Sequence, residues 1–362
     1  MTKIIGYKTL LIKRSTIVLA TSYGRPNQFK EHVLVVLEGE NGVRGWGEST
    51  PLPKFTGETT HSVKLILEEE LLPAIVGLDS YDIVKCHNIM DKTIYGNFSA
   101  KMAIDTALYD LHAKTLQVPL YELLGGCERR SIIINRHLGI MPVDEAVKKS
   151  CEYVKEGFKS IKIKVGNNVS EDIERVLAIR DAVGPSIRMR IDANGGYTYQ
   201  QALCVIKELC GVNLEMFEQP LPRENIEEMI SLHRIAHMPI GVDESINSLQ
   251  DALLFAQHGA ADVFTLKLVK TGGLYSAIQI ANVAHAANIS CVVASTYDTQ
   301  LNAAYCLHLA CAIPGDVIPC DLTCYATQPQ EANTCHILEN GTLTVGNDMG
   351  CGVNSLSEIG CL

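Results

Sequence analysis

The chain has 362 residues, a formal net charge of −10, 47% hydrophobic residues and 20% charged residues. This length predicts two domains, or one large barrel with an attachment, and the composition is that of a globular protein. The acidic balance argues against a nucleic-acid partner. The sequence has neither the apolar run of a membrane span nor the apolar core and cleavage site of a signal peptide, so we expect a cytoplasmic protein.

The 13 cysteines are an odd number and lie without CxxC pairs or Cys/His metal spacing. Several fall in apolar patterns, namely Cys204, Cys210, Cys291, Cys306 and Cys311. Free cysteine packs as a small apolar side chain, and disulfide frameworks belong to oxidising compartments. We therefore expect buried, reduced thiols and not a disulfide framework.

The first third of the chain predicts strands followed by helices. In residues 1–50 a β-meander is predicted over STIVLATSY and HVLVVLEGENGVRGWGE, with the hairpin turn at Glu40-Asn41-Gly42. In residues 60–127 two amphipathic helices are predicted over SVKLILEEELLPAIVG and SAKMAIDTALYDLHAKTLQ. Strands and then helices indicate an α+β module.

From about residue 130 the pattern becomes a regular alternation of eight strand-like runs with helices, from SIIINRHL to DVIPCDL. Such alternation predicts parallel strands with right-handed crossovers, and eight units predict a closed barrel. An open doubly wound sheet is the alternative. That fold usually has a Gly-rich phosphate turn, and no GxGxxG or GxxxxGKS occurs.

After residue 325 the alternation ends in a hairpin-like segment, HILENGTLTVG, and a Gly-rich tail. We expect this tail to pack on the N-terminal module. The predicted organisation is a capping domain at residues 1–128, a barrel at 129–325, and residues 326–362 returning to the capping domain.

Six charged residues recur through the barrel segment at an almost constant interval. The successive steps are 28, 26, 25, 24 and 54 residues, along Lys164, Asp192, Glu218, Asp243, Lys267 and Asp321. Each residue lies at or just after the end of an apolar run. Because a barrel gathers the carboxyl ends of its strands around one mouth, we expect the six side chains to converge on one pocket.

Asp192, Glu218 and Asp243 predict a metal site. Three carboxylates in one apolar mouth repel each other unless a cation neutralises them. Oxygen ligands without His or Cys select a hard divalent ion, and Mg²⁺ fits best, with Mn²⁺ as a substitute. The alternative is that these acids cap helices or pair with neighbouring basic residues.

Lys162 and Lys164 have the spacing at which strand residues face the same side, so both are predicted to point into the barrel. Two neighbouring ammonium groups disfavour each other's protonation, which would lower a pKa towards that of a general base. Lys267 ends the sixth strand, across the barrel from the second. Bases on opposite faces of a carbon suit inversion by proton removal and return. Lys270 is a competitor for this role, but the spacing favours Lys267; the alternative is a lysine that only pairs with the carboxylates.

The motifs IKIKVG, RIDANGGY, FEQPL, GVDES and LKLVKTGG resemble, in order and spacing, the muconate-lactonizing subgroup of the enolase superfamily. GWGESTP, FTGET and AIDTALYDLHAKTLQVPLYELLGG are similar to the capping domain of that subgroup. The resemblance implies a modified (β/α)7β TIM barrel with an α+β capping domain formed by both chain ends. It also implies Mg²⁺ held by Asp192, Glu218 and Asp243, and acid/base lysines at Lys164 and Lys267.

Within that resemblance, Lys162 would tune Lys164 and contact the substrate carboxylate. The shared first step is removal of the proton α to a carboxylate, with the enediolate stabilised by the metal and a lysine. Asn194 would orient Asp192 or a water, and Glu244 would support Asp243 from the opposite strand face.

Other residues bear on the substrate. Asp321 matches the first acid of the Asp-x-Asp motif with which similar dipeptide epimerases hold an α-ammonium group, but Thr323 replaces the second acid. Arg25 falls where an Ala-Glu epimerase has an arginine for a side-chain carboxylate, although a surface arginine is the alternative. Asp298 is a further acid near the mouth or a helix N-terminal carboxylate. Thr56, with Glu58 and Thr59 of the FTGET loop, would form part of a lid.

The sequence thus predicts a magnesium-dependent racemase or epimerase acting α to a carboxylate, on a dipeptide or an N-acyl amino acid. The alternatives are a cycloisomerase or dehydratase on the same scaffold, or a catalytically inactive barrel used for binding. We expect a small-molecule carboxylate as the partner and a homo-oligomer.

Overall fold

The computed structural model describes residues 2–24, 27–328 and 335–353. Its N-terminal part is a three-stranded antiparallel sheet, in the order β1-β2-β3, followed by helices. These elements are β1 (Ile4–Ser15), β2 (Phe29–Gly39), β3 (Arg44–Ser49), α1 (Pro53–Thr56), α2 (Thr60–Ile66), a π-helical turn (Leu67–Leu71), α3 (Leu72–Ile75), α4 (Ile83–Thr93), α5 (Phe98–Leu116) and α6 (Leu120–Leu123).

The first strand lies upstream of the predicted one. β1 ends where its partner β2 begins, since Ser15 pairs with Phe29. Residues 16–20 belong to no strand, and Ile17 and Leu19 line a cavity instead. The prediction of a strand at STIVLATSY is therefore wrong, whereas the predicted hairpin after it is confirmed as β2 and β3.

Helix α5 packs closely against β3, because the GWGE motif has glycines on the contacting face. A Cβ on Gly45 would collide with the carbonyl oxygen of Ala107, and one on Gly47 with that of Ala103. Fourteen of the nineteen residues of α5 are buried. The predicted helix over SAKMAIDTALYDLHAKTLQ is confirmed.

From residue 131 strands and helices alternate as predicted, except that SIIINRHL forms two short strands, β4 and β5, of which only β5 belongs to the barrel sheet. The elements are β4 (Ser131–Ile133), β5 (Arg136–Leu138), α7 (Val143–Lys155), β6 (Ser160–Lys164), α8 (Val169–Val183), β7 (Arg188–Asp192), α9 (Tyr199–Glu208), β8 (Met216–Glu218), α10 (Ile226–Ile235), β9 (Ile240–Val242), α11 (Leu249–His258), β10 (Val263–Leu266), α12 (Leu268–Thr271), α13 (Leu274–Ala286), β11 (Ser290–Val293), α14 (Gln300–Ala312) and α15 (Thr323–Thr327).

The barrel is closed by residues 317–321, here called the closing segment. Strands β5 to β11 form a parallel sheet in chain order. The closing segment bridges β11 through Asp321 and Ala294, and it bridges the start of the sheet through Cys320 and Ile134. Seven parallel strands with helical crossovers, joined end to end by the bridged closing segment, result, as expected for the predicted (β/α)7β barrel.

The end of the described chain contacts both parts of the molecule. The hairpin of β12 (Ile337–Glu339) and β13 (Thr342–Thr344) pairs with β4 at the start of the barrel. Beyond it, the N–H of Gly350 donates to the carbonyl oxygen of Val118 at 3.0 Å. The capping domain therefore takes residues from both chain ends, while the exact boundaries at 128 and 325 stay a prediction.

Two carboxylates of the capping domain bind the N-termini of barrel helices. Glu48 of β3 accepts hydrogen bonds from the N–H of Thr299 (2.9 Å) and of Asn302 (3.1 Å) at the start of α14. Asp105 of α5 accepts one from the N–H of Leu274 (2.5 Å) at the start of α13. Anionic groups satisfy free N–H groups and favour the helix dipole there, so these contacts fix the capping domain over the barrel.

The twelve cysteines in the described part of the chain are free thiols, and seven of them are buried. Cys204 and Cys210 are exposed, so the expectation of burial is wrong for these two: the buried stripe of α9 consists of its neighbours Ala202, Val205 and Ile206. No helix among the described residues has the length and apolar character to span a membrane.

Candidate active site

The six regularly spaced charged residues all lie at the carboxyl ends of barrel strands. Lys164 pairs in register with Asp192, and Asp192 with Glu218. The other three end or follow the next strands of the barrel, in the order Asp243, Lys267 and Asp321. The predicted convergence of six distant residues at one mouth follows from this arrangement.

A cavity of about 440 Å³ opens at this mouth. Its floor is polar and consists of His137, Lys162, Lys164, Asn194, Lys267 and Asp321. One wall is the turn after β11, residues 295–297, together with Thr323. The capping domain supplies a largely apolar roof, which is lined by Ile17, Leu19, Thr21, Tyr23, Gly24, Asn27, Lys30, Leu52, Pro53, Lys54 and Phe55. A polar floor under an apolar roof is typical of a small-molecule site.

Lys162 and Lys164 both point inwards, as the spacing predicts. The Nζ of Lys162 lies 2.9 Å from Asp192, 2.7 Å from Glu218 and 2.9 Å from Asp321. The Nζ of Lys164 donates to Asp192 at 2.5 Å and to the side-chain oxygen of Asn194 at 2.9 Å. The side chain of Lys162 is only 2% exposed, so these carboxylates are what compensates its charge.

Asp243 is held by two further lysines. The Nζ of Lys267 forms an ion pair with one carboxylate oxygen, and that of Lys270 donates to the other at 2.8 Å. Burial tends to lower the pKa of Lys267, but Asp243 outweighs it and the pKa is raised. For Lys270 burial dominates and the pKa is lowered.

The expected lowering of a lysine pKa by its neighbour is wrong for Lys162. Burial acts in that direction, but Asp192, Asp321 and Glu218 outweigh it and hold its pKa well above the ordinary value. The carboxylates at the ends of the other barrel strands therefore outweigh the effect of the ammonium pair.

The three carboxylates predicted as metal ligands offer the oxygen atoms that a hard cation prefers. Asp192, Glu218 and Asp243 are fully buried, and Oε2 of Glu218 has no aligned hydrogen-bond donor despite its closeness to Lys162. Burial and the surrounding carboxylates raise the pKa of Glu218 to about 7, as expected where negative charge is incompletely neutralised. No three acidic, His or Cys side chains of the described residues are already arranged as a metal site; ammonium groups bind these oxygens instead.

Lys164 and Lys267 lie on opposite sides of the cavity. They lie at the ends of the second and the sixth strand in a ring of seven strands and the closing segment, so three of these eight segments separate them in either direction. The strands between them on one side carry the three carboxylates. A planar carbon held beside those carboxylates would present one face to each lysine.

Asp321 is already engaged by three donors and lies next to a histidine ring. Arg190 and Lys162 form ion pairs with its carboxylate, Asn135 donates at 2.9 Å, and Nε2 of His137 lies at 3.1 Å. Burial lowers the pKa of His137 to about 4, so this ring is neutral near pH 7. Arginine and the other donors hold the pKa of Asp321 well below its ordinary value, although burial alone would raise it.

Of the other residues predicted to contact the substrate, only some line the cavity. Thr323 lines the cavity, but Asp298 and Thr56 do not. The carboxylate of Asp298 binds the N–H of Thr296 (2.9 Å) and the amide of Asn302 (2.8 Å) within its own turn, the helix-terminal alternative. Arg25 lies outside the described residues.

Of the lid residues, Thr59 caps α2 and Glu58 accepts hydrogen bonds from the N–H (3.0 Å) and the hydroxyl (2.6 Å) of Ser99.

Asn194 and Glu244 join the floor to the roof. The N–H of Asn194 donates to Asp192 at 2.8 Å, and its amide donates to Glu244 at 3.1 Å. The hydroxyl of Tyr23, from the roof, donates to Glu244 at 2.8 Å. The roof is therefore attached directly to residues that position Asp192.

Sequence reasoning missed several residues at the mouth, including Arg190, His137, Tyr23 and Lys30. Arg190 could have been found, because it stands two residues before Asp192 on the same strand face, as Lys162 does before Lys164. The positions of Tyr23 and Lys30 depend on the fold of the capping domain over the barrel, which no local pattern shows.

Comparisons with known proteins agree with this architecture. Residues 15–125 match the mandelate racemase/muconate lactonizing enzyme N-terminal domain, and residues 145–358 match the enolase C-terminal domain-like family. A hydrophobic dipeptide epimerase of Enterococcus faecalis is 38% identical, with 78% of this chain and 79% of that protein covered. An N-succinyl-L-Arg/Lys racemase of Bacillus cereus is 32% identical, with 80% and 78% covered.

A solved dipeptide epimerase from Enterococcus faecalis, in complex with Mg and L-Leu-L-Tyr, superposes with a TM-score of 0.92. It is 33% identical in sequence, and the superposition covers 98% of this chain and all of that one. The chain therefore belongs to the mandelate racemase/muconate lactonizing enzyme family of the enolase superfamily and is an isomerase of that superfamily.

Proposed function

We propose that the protein is a magnesium-dependent racemase or epimerase that removes and returns the proton α to a carboxylate of a dipeptide or N-acyl amino acid. The observation that carries the proposal is the placement of Lys164 and Lys267 on opposite sides of one cavity, with three carboxylates on the arc between them. Relatives that act on dipeptides and N-succinyl amino acids support the substrate class.

In this proposal Lys162 binds the substrate carboxylate, and Asp192, Glu218 and Asp243 hold the metal. A bound Mg²⁺ would neutralise the negative charge that develops on the substrate carboxylate when the α-proton leaves. One of the lysines, Lys164 or Lys267, takes the proton as a neutral amine, and the other donates a proton to the opposite face. The apolar roof excludes water from the carbanionic carbon.

Proton exchange in D₂O tests the proposal. The enzyme is incubated with Mg²⁺ and a panel of L-dipeptides and N-acyl-L-amino acids, and α-deuteration and enantiomer composition are followed by NMR and chiral chromatography. The proposal predicts deuterium at the α-carbon together with inversion. Lactone formation from a muconate would indicate a cycloisomerase, loss of water a dehydratase, and either result without α-inversion would contradict the proposal.

A further inference from the structure

Lys30 differs from the other lysines of the cavity. Lys162, Lys164 and Lys267 each bind carboxylates, and Lys54 donates to the carbonyl oxygen of Tyr23 at 3.0 Å. Lys30 forms no hydrogen bond or ion pair with the residues that the structure describes. A half-buried ammonium group that no carboxylate neutralises is available to bind an anionic ligand.

The surroundings of Lys30 support this interpretation. Its Nζ lies 4.9 Å from the centre of the Tyr297 ring, in the wall of the cavity. Such a contact orients an ammonium group without neutralising it. Burial lowers the pKa of Lys30, as expected where no carboxylate offsets the loss of hydration.

The floor lysines Lys162, Lys164 and Lys267 are paired with buried carboxylates, whereas Lys30 at the roof has no such partner among the described residues. Among the described lining residues, five are lysines and one is a carboxylate, namely Lys30, Lys54, Lys162, Lys164, Lys267 and Asp321. One reacting carboxylate at the floor cannot pair with lysines at both the floor and the roof. A second anionic group at the roof would therefore be stabilised.

The part of the cavity at Asp321 and Thr323 differs from a site that binds the free ammonium group of a dipeptide. Asp321 is compensated by Arg190 and Lys162, so it has little charge to offer a further cation. Thr323 is neutral, and its hydroxyl lies 3.4 Å from the carbonyl oxygen of Thr296, to which it donates. The cavity therefore suits a neutral, acylated nitrogen.

We propose that the substrate is an N-acylated amino acid with a second carboxylate, and that Lys30 binds this second carboxylate. The inference rests on the proposed function, which places the reacting carboxylate at the floor. The second carboxylate can belong to the acyl group or to the amino-acid side chain. The rest of the ligand would pack against the apolar roof at Ile17, Leu19 and Phe55.

Four probes separate these possibilities by calorimetry and by α-proton exchange, both with Mg²⁺. All four probes have the reacting α-carboxylate. N-succinyl-L-leucine has a second carboxylate on its acyl group, and N-acetyl-L-glutamate has one on its side chain. N-acetyl-L-leucine has no second carboxylate, and L-alanyl-L-leucine has a free ammonium group instead of an acylated nitrogen. At least one dicarboxylate should bind more tightly than N-acetyl-L-leucine, by roughly 10- to 100-fold for one charge-assisted contact. Which dicarboxylate binds better identifies the source of the carboxylate.

Lys30→Met should abolish the difference between the preferred dicarboxylate and N-acetyl-L-leucine. The matched control is Lys13→Met, since Lys13 also lies over an aromatic ring, that of Phe29, at 5.5 Å, but lines no part of the cavity. This control should preserve the difference.

Equal binding of mono- and dicarboxylates, tighter binding of L-alanyl-L-leucine, or a preference that survives Lys30→Met would overturn the inference. The results that would refute the proposed function differ from those that would refute the role of Lys30. Dicarboxylate binding that depends on Lys30, without α-proton exchange in any probe, would support the site and refute the racemase. Exchange of the α-proton without a preference for dicarboxylates would support the racemase and refute the proposed role of Lys30.

Discussion

Glu48 links the capping domain to the barrel, and Glu48→Gln should measure the strength of that link. Its Oε1 accepts hydrogen bonds from the N–H of Thr299 (2.9 Å) and the hydroxyl of Thr50 (3.0 Å) and lies 2.8 Å from Nδ1 of His32. Its Oε2 accepts from the hydroxyl of Thr299 (2.5 Å) and the N–H of Asn302 (3.1 Å). A glutamine must turn an NH₂ group towards one of these sets of donors, so at least two hydrogen bonds are lost.

Hydrogen bonds to a buried charged group contribute about 1.5–3 kcal/mol each, and relaxation recovers part of the loss. We expect Glu48→Gln to lower the free energy of unfolding by about 2–4 kcal/mol at pH 7. Denaturant unfolding measures this, and Glu31→Gln, on an exposed position of β2, serves as the control. Equal stabilities of Glu48→Gln and the control would refute the account of the link.

The pH dependence of the free energy of unfolding gives a second test of the link through Glu48. Burial alone would raise the pKa of Glu48, but hydrogen bonds from His32 and Thr299 outweigh it and the pKa lies below 4.5. A lowered carboxyl pKa contributes stability that is complete above the ordinary value of about 4.5 and is lost as the pH falls through the folded-state pKa. The difference in unfolding free energy between wild type and Glu48→Gln should therefore shrink below about pH 4.5, and a difference that grew there would contradict the reasoning.

Two further predictions concern packing and the metal. Gly47→Ala places a methyl group against the carbonyl oxygen of Ala103 and should lower the free energy of unfolding by about 1–3 kcal/mol in denaturant unfolding. Gly211→Ala, the control, has open space around it and should cause no such loss. Equal effects of the two substitutions would contradict the close packing of α5 on β3. Glu218→Gln should weaken Mg²⁺ binding in calorimetry by at least roughly tenfold, compared with Glu227→Gln on the exposed face of α10, and unchanged binding would remove Glu218 from the metal site.

Much of the barrel mouth could be predicted because strand periodicity is local information. The convergence of the six regularly spaced charged residues follows from their positions at strand ends, and the inward orientation of Lys162 and Lys164 follows from the two-residue repeat of a strand. The same repeat places Arg190 inside, yet its partner Asp321 lies 131 residues away. Pairing of that kind cannot be obtained from spacing alone.

Other features depend on contacts between distant segments. The strand predicted at STIVLATSY fails because β2 starts only at Phe29, so residues 16–20 are not paired in the β1–β2 ladder. Asp298 satisfies its carboxylate within its own turn through Thr296 and Asn302. Lys30 has no ion-pair partner within the described part of the chain, and this depends on how the roof is assembled, which the composition does not show.

The most direct test of the two-lysine account is α-proton exchange in D₂O by Lys164→Ala and Lys267→Ala, with each substrate enantiomer supplied separately. Circular dichroism and Mg²⁺ binding confirm that both variants are folded. The account predicts that neither variant racemises its substrate, and that any exchange left in a variant is confined to the enantiomer whose α-proton faces the remaining lysine. Full racemisation by either variant would contradict the assignment of Lys164 and Lys267 as opposed bases.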